Sequence, residues 1–306
     1  MFWRRSVNKK KRVVAISRQT DIVAAYRLLL EVKRPDLLPL FDQRLKDCPG
    51  SARLEAITFT LLDNWFRLQP SVYEDPAKGG PDFEARHSLH RQLFVEVKYL
   101  QAEAVAQKSG LAKEGISESG WFSFITPKLE EALKDAARQL GNMPGPGICV
   151  IGSDHPEAGM LMGAFAASTL LTSESHIEIP ISNDGGPAGD ARVVTDLKSA
   201  AFMRPSSDPG EELRSMRRSI SAVILVAFNY EASTASIVGL LHHDAARPLD
   251  WRVFEGVPFA RFGSAPAPGA EANVEFVISH PKPLGIPMLL PVELKESDLR
   301  GEDKTT

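Results

Sequence analysis

Cysteine is scarce in this 306-residue chain: only Cys48 and Cys149 occur, far apart in sequence. Two such residues build neither a disulfide framework nor a zinc site of the usual spacing, and they fit a reducing cytosol. Long hydrophobic runs are missing as well. The most apolar stretch, GMLMGAFAASTLL at 159–171, is too short and too rich in small residues for a bilayer, and reads as a packed helix. The opening MFWRRSVNKKKR is basic but lacks the apolar core of a secretory signal. No strong charge of one sign stands out, because the net is −3. Basic residues nevertheless gather in RRSVNKKKR near the start and in RSMRRS at 214–219. The first is read as a solvated tail, with an arm that binds a nucleic-acid backbone as the other reading.

Several catalytic signatures are also absent. There is no GxxxxGK[ST] phosphate loop and no GxSxG elbow, so an ATPase or a serine hydrolase finds no support. Gly145-Pro146-Gly147 precedes its strand, whereas a dinucleotide fingerprint follows one. His242-His243-Asp244 looks like a metal cluster, but adjacent strand residues point to opposite faces, which argues against joint chelation. His87 and His90 are read as turn residues or phosphate contacts.

What remains is an ordinary globular composition, 43% hydrophobic and 25% charged, long enough for one large domain or two. Residues 20–47 read as two helices broken at Pro35. A third helix follows Ser51 as N-cap, with apolar residues at Leu54, Ile57, Leu61, Leu62, Trp65 and Phe66, and closes before Pro70. After a β-prone SVY and a Gly-Gly-Pro break come two strands, 82–88 and 92–100. Residues 101–125 read as a long connection. Thr126 and Pro127 then cap a helix over 127–140, and GICVIG at 147–152 is a buried strand. That helix is a crossover, which sets the last strand parallel to 92–100. Farther on, 219–228 and 235–241 pair as buried strands, and 263–273 is loop.

Glu-x-Lys occurs four times, where about one chance copy is expected from average residue usage, and Glu302-Asp303-Lys304 is a run of charges without an apolar strand around it. Glu31-Val32-Lys33 lies in a helical pattern, where i and i+2 share no face. Glu293-Leu294-Lys295 follows a proline-rich approach and has no aspartate a hairpin away. Only Glu96-Val97-Lys98 lies in a strong strand with Pro81-Asp82 upstream. A three-residue loop at Ser88-Leu89-His90 sets Asp82 opposite Glu96, with Cβ atoms about 5 Å apart on one face. Two carboxylates that close demand a cation, and Mg²⁺ takes one or two carboxylates plus waters and phosphate oxygens. Lys98 lies one pleat farther on the same face.

Pro81-Asp82 followed by Glu96-x-Lys98, between two amphipathic helices, resembles the PD-(D/E)xK nuclease superfamily over roughly residues 51–152. The resemblance implies an α/β, restriction-endonuclease-like mixed sheet flanked by helices. Around it stand a basic arm and helical segment at 1–50 and a C-terminal αβ extension at 153–306 packed on the core. It implies Mg²⁺, or Mn²⁺, held by Asp82, Glu96 and the Val97 carbonyl, with Lys98 acting on the attacking water. Glu55, on the helix before the sheet, would complete the set. Gln139, or failing it Lys134, would help from the second helix. The expected activity is phosphodiester hydrolysis, in DNA before RNA, by a cytoplasmic protein without membrane contact, alone, as a homodimer or with a protein partner. The alternative is an inactive recognition or assembly subunit on the same fold.

Overall fold

The computed structural model describes residues 19–75, 79–101, 122–155, 158, 162–173, 175–181, 189–195, 197, 200–206, 213–229, 234–266, 271–279 and 286–287. The basic N-terminal run and the Glu293–Lys295 triplet fall outside these residues, as does most of the 101–125 connection.

Three helices come first: α1 (Gln19–Lys33), α2 (Leu38–Asp47) and α3 (Pro49–Thr60), the last continuing into a π-helical turn at Leu61–Trp65. The break at Pro35 is where the sequence puts it. The start of α3 is not: Cys48 caps it without a side-chain bond and Pro49 occupies the first turn, so Ser51 is inside the helix. Proline's fixed φ suits that first turn and needs no side-chain cap.

A mixed sheet organises the rest. Along its path lie β1 (Ser71–Val72), β2 (Phe83–His87), β3 (His90–Tyr99), β4 (Gly147–Ser153), β9 (Ile220–Asn229), β10 (Thr234–Leu241), β11 (Pro258–Phe262) and β12 (Val274–Ile278), in that order. A short β13 (Ile286–Pro287) adds to the far end of β10. Two small hairpins stand apart, β5 (Ser175–Glu178) with β6 (Arg192–Thr195) and β7 (Met203–Pro205) with β8 (Leu213–Ser215). Strands β2 and β3 are antiparallel, while β3, β4 and β9 run parallel, so the sheet continues without a break from residue 153 into the C-terminal half.

Helix α4 (Phe122–Gln139) makes the crossover from β3 to β4. It starts a full turn before the expected 127, so residues 122–125 are helix and not connection. Pro127 sits inside it and forgoes one intrahelical bond, because it has no N–H to give. A fifth helix, α5 (Ala164–Thr172), occupies the apolar run first read as a packed helix.

The strand residues alternate between two cores. Phe83, Val95, Ile148 and Val150 face α1–α3 through Tyr26, Phe41, Leu54, Ile57 and Phe59. Phe94, Cys149 and Ile151 face α4 and α5 through Leu129, Leu133, Ala136 and Leu140. Tyr26 anchors the first layer, its ring 5.2 Å from Phe41, 5.3 Å from Phe59 and 6.3 Å from Phe83. Tilted and edge-on pairs of this kind are each worth about 0.5–1.5 kcal/mol beyond area burial. Close approach of α3 to β4 requires Gly152, where a Cβ would run into Leu54. No described helix is long and apolar enough to cross a membrane.

Candidate metal and phosphodiester site

The β2–β3 hairpin differs from its expected form in a compensating way. Its turn has two residues, Ser88 and Leu89, since His87 pairs with His90. Arg91 and Gln92 of β3 then bulge opposite Arg86, which shifts the register by one and sets Phe83 opposite Val95. Extending that pairing by one residue brings Asp82 level with Glu96, as the three-residue loop would have done.

Pairing stops at Phe83, and the Asp82 side chain takes over. Its Oδ2 accepts the Val97 N–H at 2.7 Å. In a continued ladder that N–H would meet the carbonyl of residue 81. The Asp82 carboxylate therefore lies at the strand end, close to the plane of the sheet, where both helical layers reach it. Amide and carbonyl of one strand residue point to the same edge, so the Val97 carbonyl faces this edge too.

On the α4 side, Glu96 is 2% exposed and Lys98 half-buried. Lys98 Nζ lies 2.7 Å from Glu96 Oε1 and donates to Gln139 Oε1 at 2.7 Å. Gln139 Nε2 in turn donates to the Gly80 carbonyl at 3.3 Å, bracing the segment that leads into Asp82. The other Glu96 oxygen, Oε2, is buried without a hydrogen-bond partner. Lys134 is exposed on the same helix and joins none of these contacts.

On the α3 side, Glu55 is 4% exposed and fully engaged. Its Oε1 accepts from Tyr26 Oη and its Oε2 from Arg44 Nη1, each at 2.8 Å. Arg44 Nη2 holds Glu74 Oε2 at 2.8 Å. Tyr26, Arg44 and Glu74 have no counterpart in the sequence reading. They come from α1, α2 and the residues after β1, and only tertiary packing brings them together. One signal was present: SVYE precedes Pro-Asp by a span a strand pair can close.

The electrostatics follow from this count. Fully ionised, Glu55, Glu74, Asp82 and Glu96 would carry two charges more than Arg44 and Lys98 balance, and the excess favours protonated carboxyls. Burial, then the Asp82 charge, pushes the Glu96 carboxyl up to about 8 despite Lys98. Burial raises Glu55 to about 8 against the pull of Arg44. Asp82, half-buried with its carboxyl turned inward, is raised to about 6 by burial against the Val97 N–H.

Among the described residues no group of three or more His, Cys, Asp or Glu side chains forms a ready metal cage. The site nonetheless fits a hard divalent cation in charge and donor type. With all four acids ionised it would be short of two positive charges, and Glu96 Oε2 is buried without a hydrogen-bond partner. A cleft of about 320 Å³ opens beside Lys98, lined also by Ser51, Tyr99, Gln101, Lys128 and Asp135.

The four histidines singled out by the sequence serve backbone groups or ring packing. His242 Nε2 meets the Met216 carbonyl at 2.7 Å and its Nδ1 accepts the Asp244 N–H at 2.9 Å, so both ring nitrogens serve the backbone. Burial lowers its pKa to about 4. His243 stacks on it at 5.1 Å instead of pointing away, because both follow the end of β10. His87 Nδ1 accepts from the Leu89 N–H in the hairpin turn, and His90 Nε2 from the Asp250 N–H. In the 214–219 cluster, Arg217 binds the Ala201 carbonyl and Arg218 pairs with Asp244. Comparison with protein-family models, with curated proteins and with solved structures gave no significant match.

Proposed function

We propose that the protein is a metal-dependent nuclease of the PD-(D/E)xK type that hydrolyses phosphodiester bonds, in DNA before RNA. The observation that carries this reading is the excess of acids over cations around Asp82, Glu96 and Lys98, with Glu96 Oε2 buried and unpartnered. The antiparallel β2–β3 pair followed by a parallel β4 across α4 is consistent with a restriction-endonuclease-like core.

Asp82, Glu96 and the Val97 carbonyl would hold Mg²⁺ or Mn²⁺. The bound ion would polarise a phosphate oxygen and lower the pKa of an attacking water. Lys98 has three donors and spends two, on Glu96 and Gln139. The third is free for the water or for a phosphate oxygen as negative charge builds on phosphorus. Hydrolysis forms the bond from water oxygen to phosphorus, breaks the bond to the leaving sugar oxygen, and delivers a proton to that oxygen. Gln139 and Gly80 fix the lysine and the aspartate relative to each other.

The test is cleavage of plasmid, linear and single-stranded DNA and of RNA by purified protein, with and without Mg²⁺ or Mn²⁺. Cleavage should require the metal and be lost in Asp82→Ala with the fold intact. Lys98→Ala should retain metal binding and lose roughly 10²-fold or more in rate. Cleavage that survives Asp82→Ala overturns the mechanism. A wild type that binds metal yet cuts none of these substrates favours the inactive recognition or assembly subunit.

A further inference from the structure

Two loops leave the carboxyl ends of β10 and β11, which run parallel as neighbours in the sheet. Between them opens a cavity of about 480 Å³. Open α/β sheets take ligands at such strand ends, and small-molecule sites have this size. The cavity shares no lining residue with the cleft beside Lys98. Its walls are pinned by backbone groups. The Asp250 N–H donates to His90 Nε2 at 2.9 Å, and the Ala246 N–H to the Arg218 carbonyl at 2.8 Å. Ser221 Oγ donates to the Arg247 carbonyl, and the Gly263 N–H to the Asn273 carbonyl at 2.8 Å. A cavity held open in this way needs little ordering when a ligand arrives.

Aromatic rings gather at this cavity. Phe202 and His243 both pack on the His242 ring, at 4.3 Å and 5.1 Å, and the His243 plane is only 21° from that of His242. Phe262 meets His243 edge-on at 5.8 Å. The two histidines differ in what they have left to give. Both nitrogens of His242 are spent on the backbone. His243 is exposed, and its ring nitrogens carry no hydrogen bond among the described residues. The same holds for the indole N–H of half-buried Trp251, which lines the cavity from the loop before β11. Arg261, at the end of β11, brings a guanidinium whose Nε and Nη2 lie 2.6 Å from Glu275 Oε1. None of the described lining residues is acidic.

The cavity therefore presents a flat ring, polar atoms at its edge, a cation and no anion. A hydrocarbon would leave the polar atoms unpaired, and a cationic ligand would find no partner. A nucleobase carrying a phosphate answers each group in turn, by stacking, by hydrogen bonds at the base edge and by charge. We propose that this cavity is a nucleotide site, with the base stacked on His243, Trp251 donating to the base edge and Arg261 facing the phosphate. The site needs no metal and does not rest on the nuclease reading. Its base arrives as a free mononucleotide or as an unstacked residue of a single strand.

Calorimetric titration of the full chain in chelator tests it, with AMP, adenosine, ribose 5-phosphate, benzoate and a single-stranded DNA decamer. AMP should bind more tightly than adenosine. Ribose 5-phosphate and benzoate should bind about tenfold more weakly than AMP or worse, because they lack the stacked base. His243→Ala should weaken AMP by about tenfold or more, and His243→Phe should keep most of the affinity, since the ring remains. Arg261→Gln should bring AMP down to the affinity of adenosine. Melting temperatures should stay near wild type, because both side chains reach solvent. AMP binding at least as tight as the decamer supports the site with a free nucleotide as its occupant. Decamer binding that His243→Ala removes, with AMP too weak to detect, supports it with a strand as its source. No binding of AMP or decamer, wild-type affinity in His243→Ala, or benzoate as tight as AMP overturns the proposal. No arm reads metal or cleavage, so its failure leaves the nuclease reading standing.

Discussion

The two sides of the sheet meet at Asp82 and treat their charges differently. On the α3 side, Tyr26, Glu55, Arg44 and Glu74 form a chain in which a cation stands between two acids and the deeper acid has both oxygens occupied. On the α4 side, Lys98 covers one oxygen of Glu96 and leaves the other buried and bare. The first arrangement satisfies both oxygens of its buried acid, and its one unsatisfied atom is a donor, the buried Arg44 Nε. The second keeps a demand for positive charge inside the protein, which costs stability unless something meets it. Burial alone does not separate structure from function here, since Glu55 and Glu96 are almost equally hidden. What separates them is whether every buried oxygen is satisfied.

The largest expected effect comes from cutting the closed side. Arg44→Met leaves Glu55 and Glu74 without their shared cation, and should lose about 3–5 kcal/mol in denaturant unfolding. Adding Glu55→Gln should recover part of it. On the open side, Lys98→Met should cost only about 1–2 kcal/mol, because Glu96 already favours its neutral form and can hold a proton instead. Equal losses would erase the distinction between the two sides.

A proton titration reads the same contrast with no mutation. Folded-state values near 6 for Asp82 and near 8 for Glu96 and Glu55 lie above ordinary carboxyl values. The folded protein therefore keeps protons that the unfolded chain has released. Stability from these groups is fully present below about pH 4 and falls as pH rises toward 8. Scanning calorimetry at pH 5, 6.5 and 8 in chelator should show a falling melting temperature. Mn²⁺ at pH 8 should restore it, since the ion takes the place of the protons on Asp82 and Glu96. A melting temperature that climbs across this window would mean the charges are already balanced.

The sequence made one side of this site legible and hid the other. Asp82, Glu96 and Lys98 belong to a single hairpin, so strand alternation and one register relation tie them together. Even there two details were misread, since the shorter turn and the β3 bulge opposite Arg86 cancel and leave Asp82 level with Glu96. Gln139 was reachable from the helical stripe of α4. Tyr26, Arg44 and Glu74 were not, because nothing local relates α1, α2 and the end of β1 until the layer has packed around Tyr26. The early start of α4 was hidden by Pro127, which normally opens a helix. The mixed sheet was foreseen through β4, and the β9–β10 pair was visible as two apolar runs. The sheet order that joins β9 to β4 has no mark in the local pattern.

The smallest expected effect bears on how the open side positions its lysine. Gln139→Leu keeps the side chain's bulk but removes the acceptor for Lys98 and the donor to Gly80. Two half-buried polar contacts of this kind are worth about 1 kcal/mol each, so the fold should survive with a modest shift in melting temperature. If Gln139 serves to aim Lys98, kcat should fall roughly tenfold while KM and Mn²⁺ affinity hold, because the lysine would act in the transition state and not on the metal. Gln139→Glu retains the acceptor and should recover most of the rate. The opposite split, with Mn²⁺ affinity lost and kcat at saturating metal preserved, would show that Gln139 works through Gly80 and Pro81 on the placement of Asp82. In that event the helix contributes to the metal side of the site, and Lys98 is aimed by its pairing with Glu96 alone.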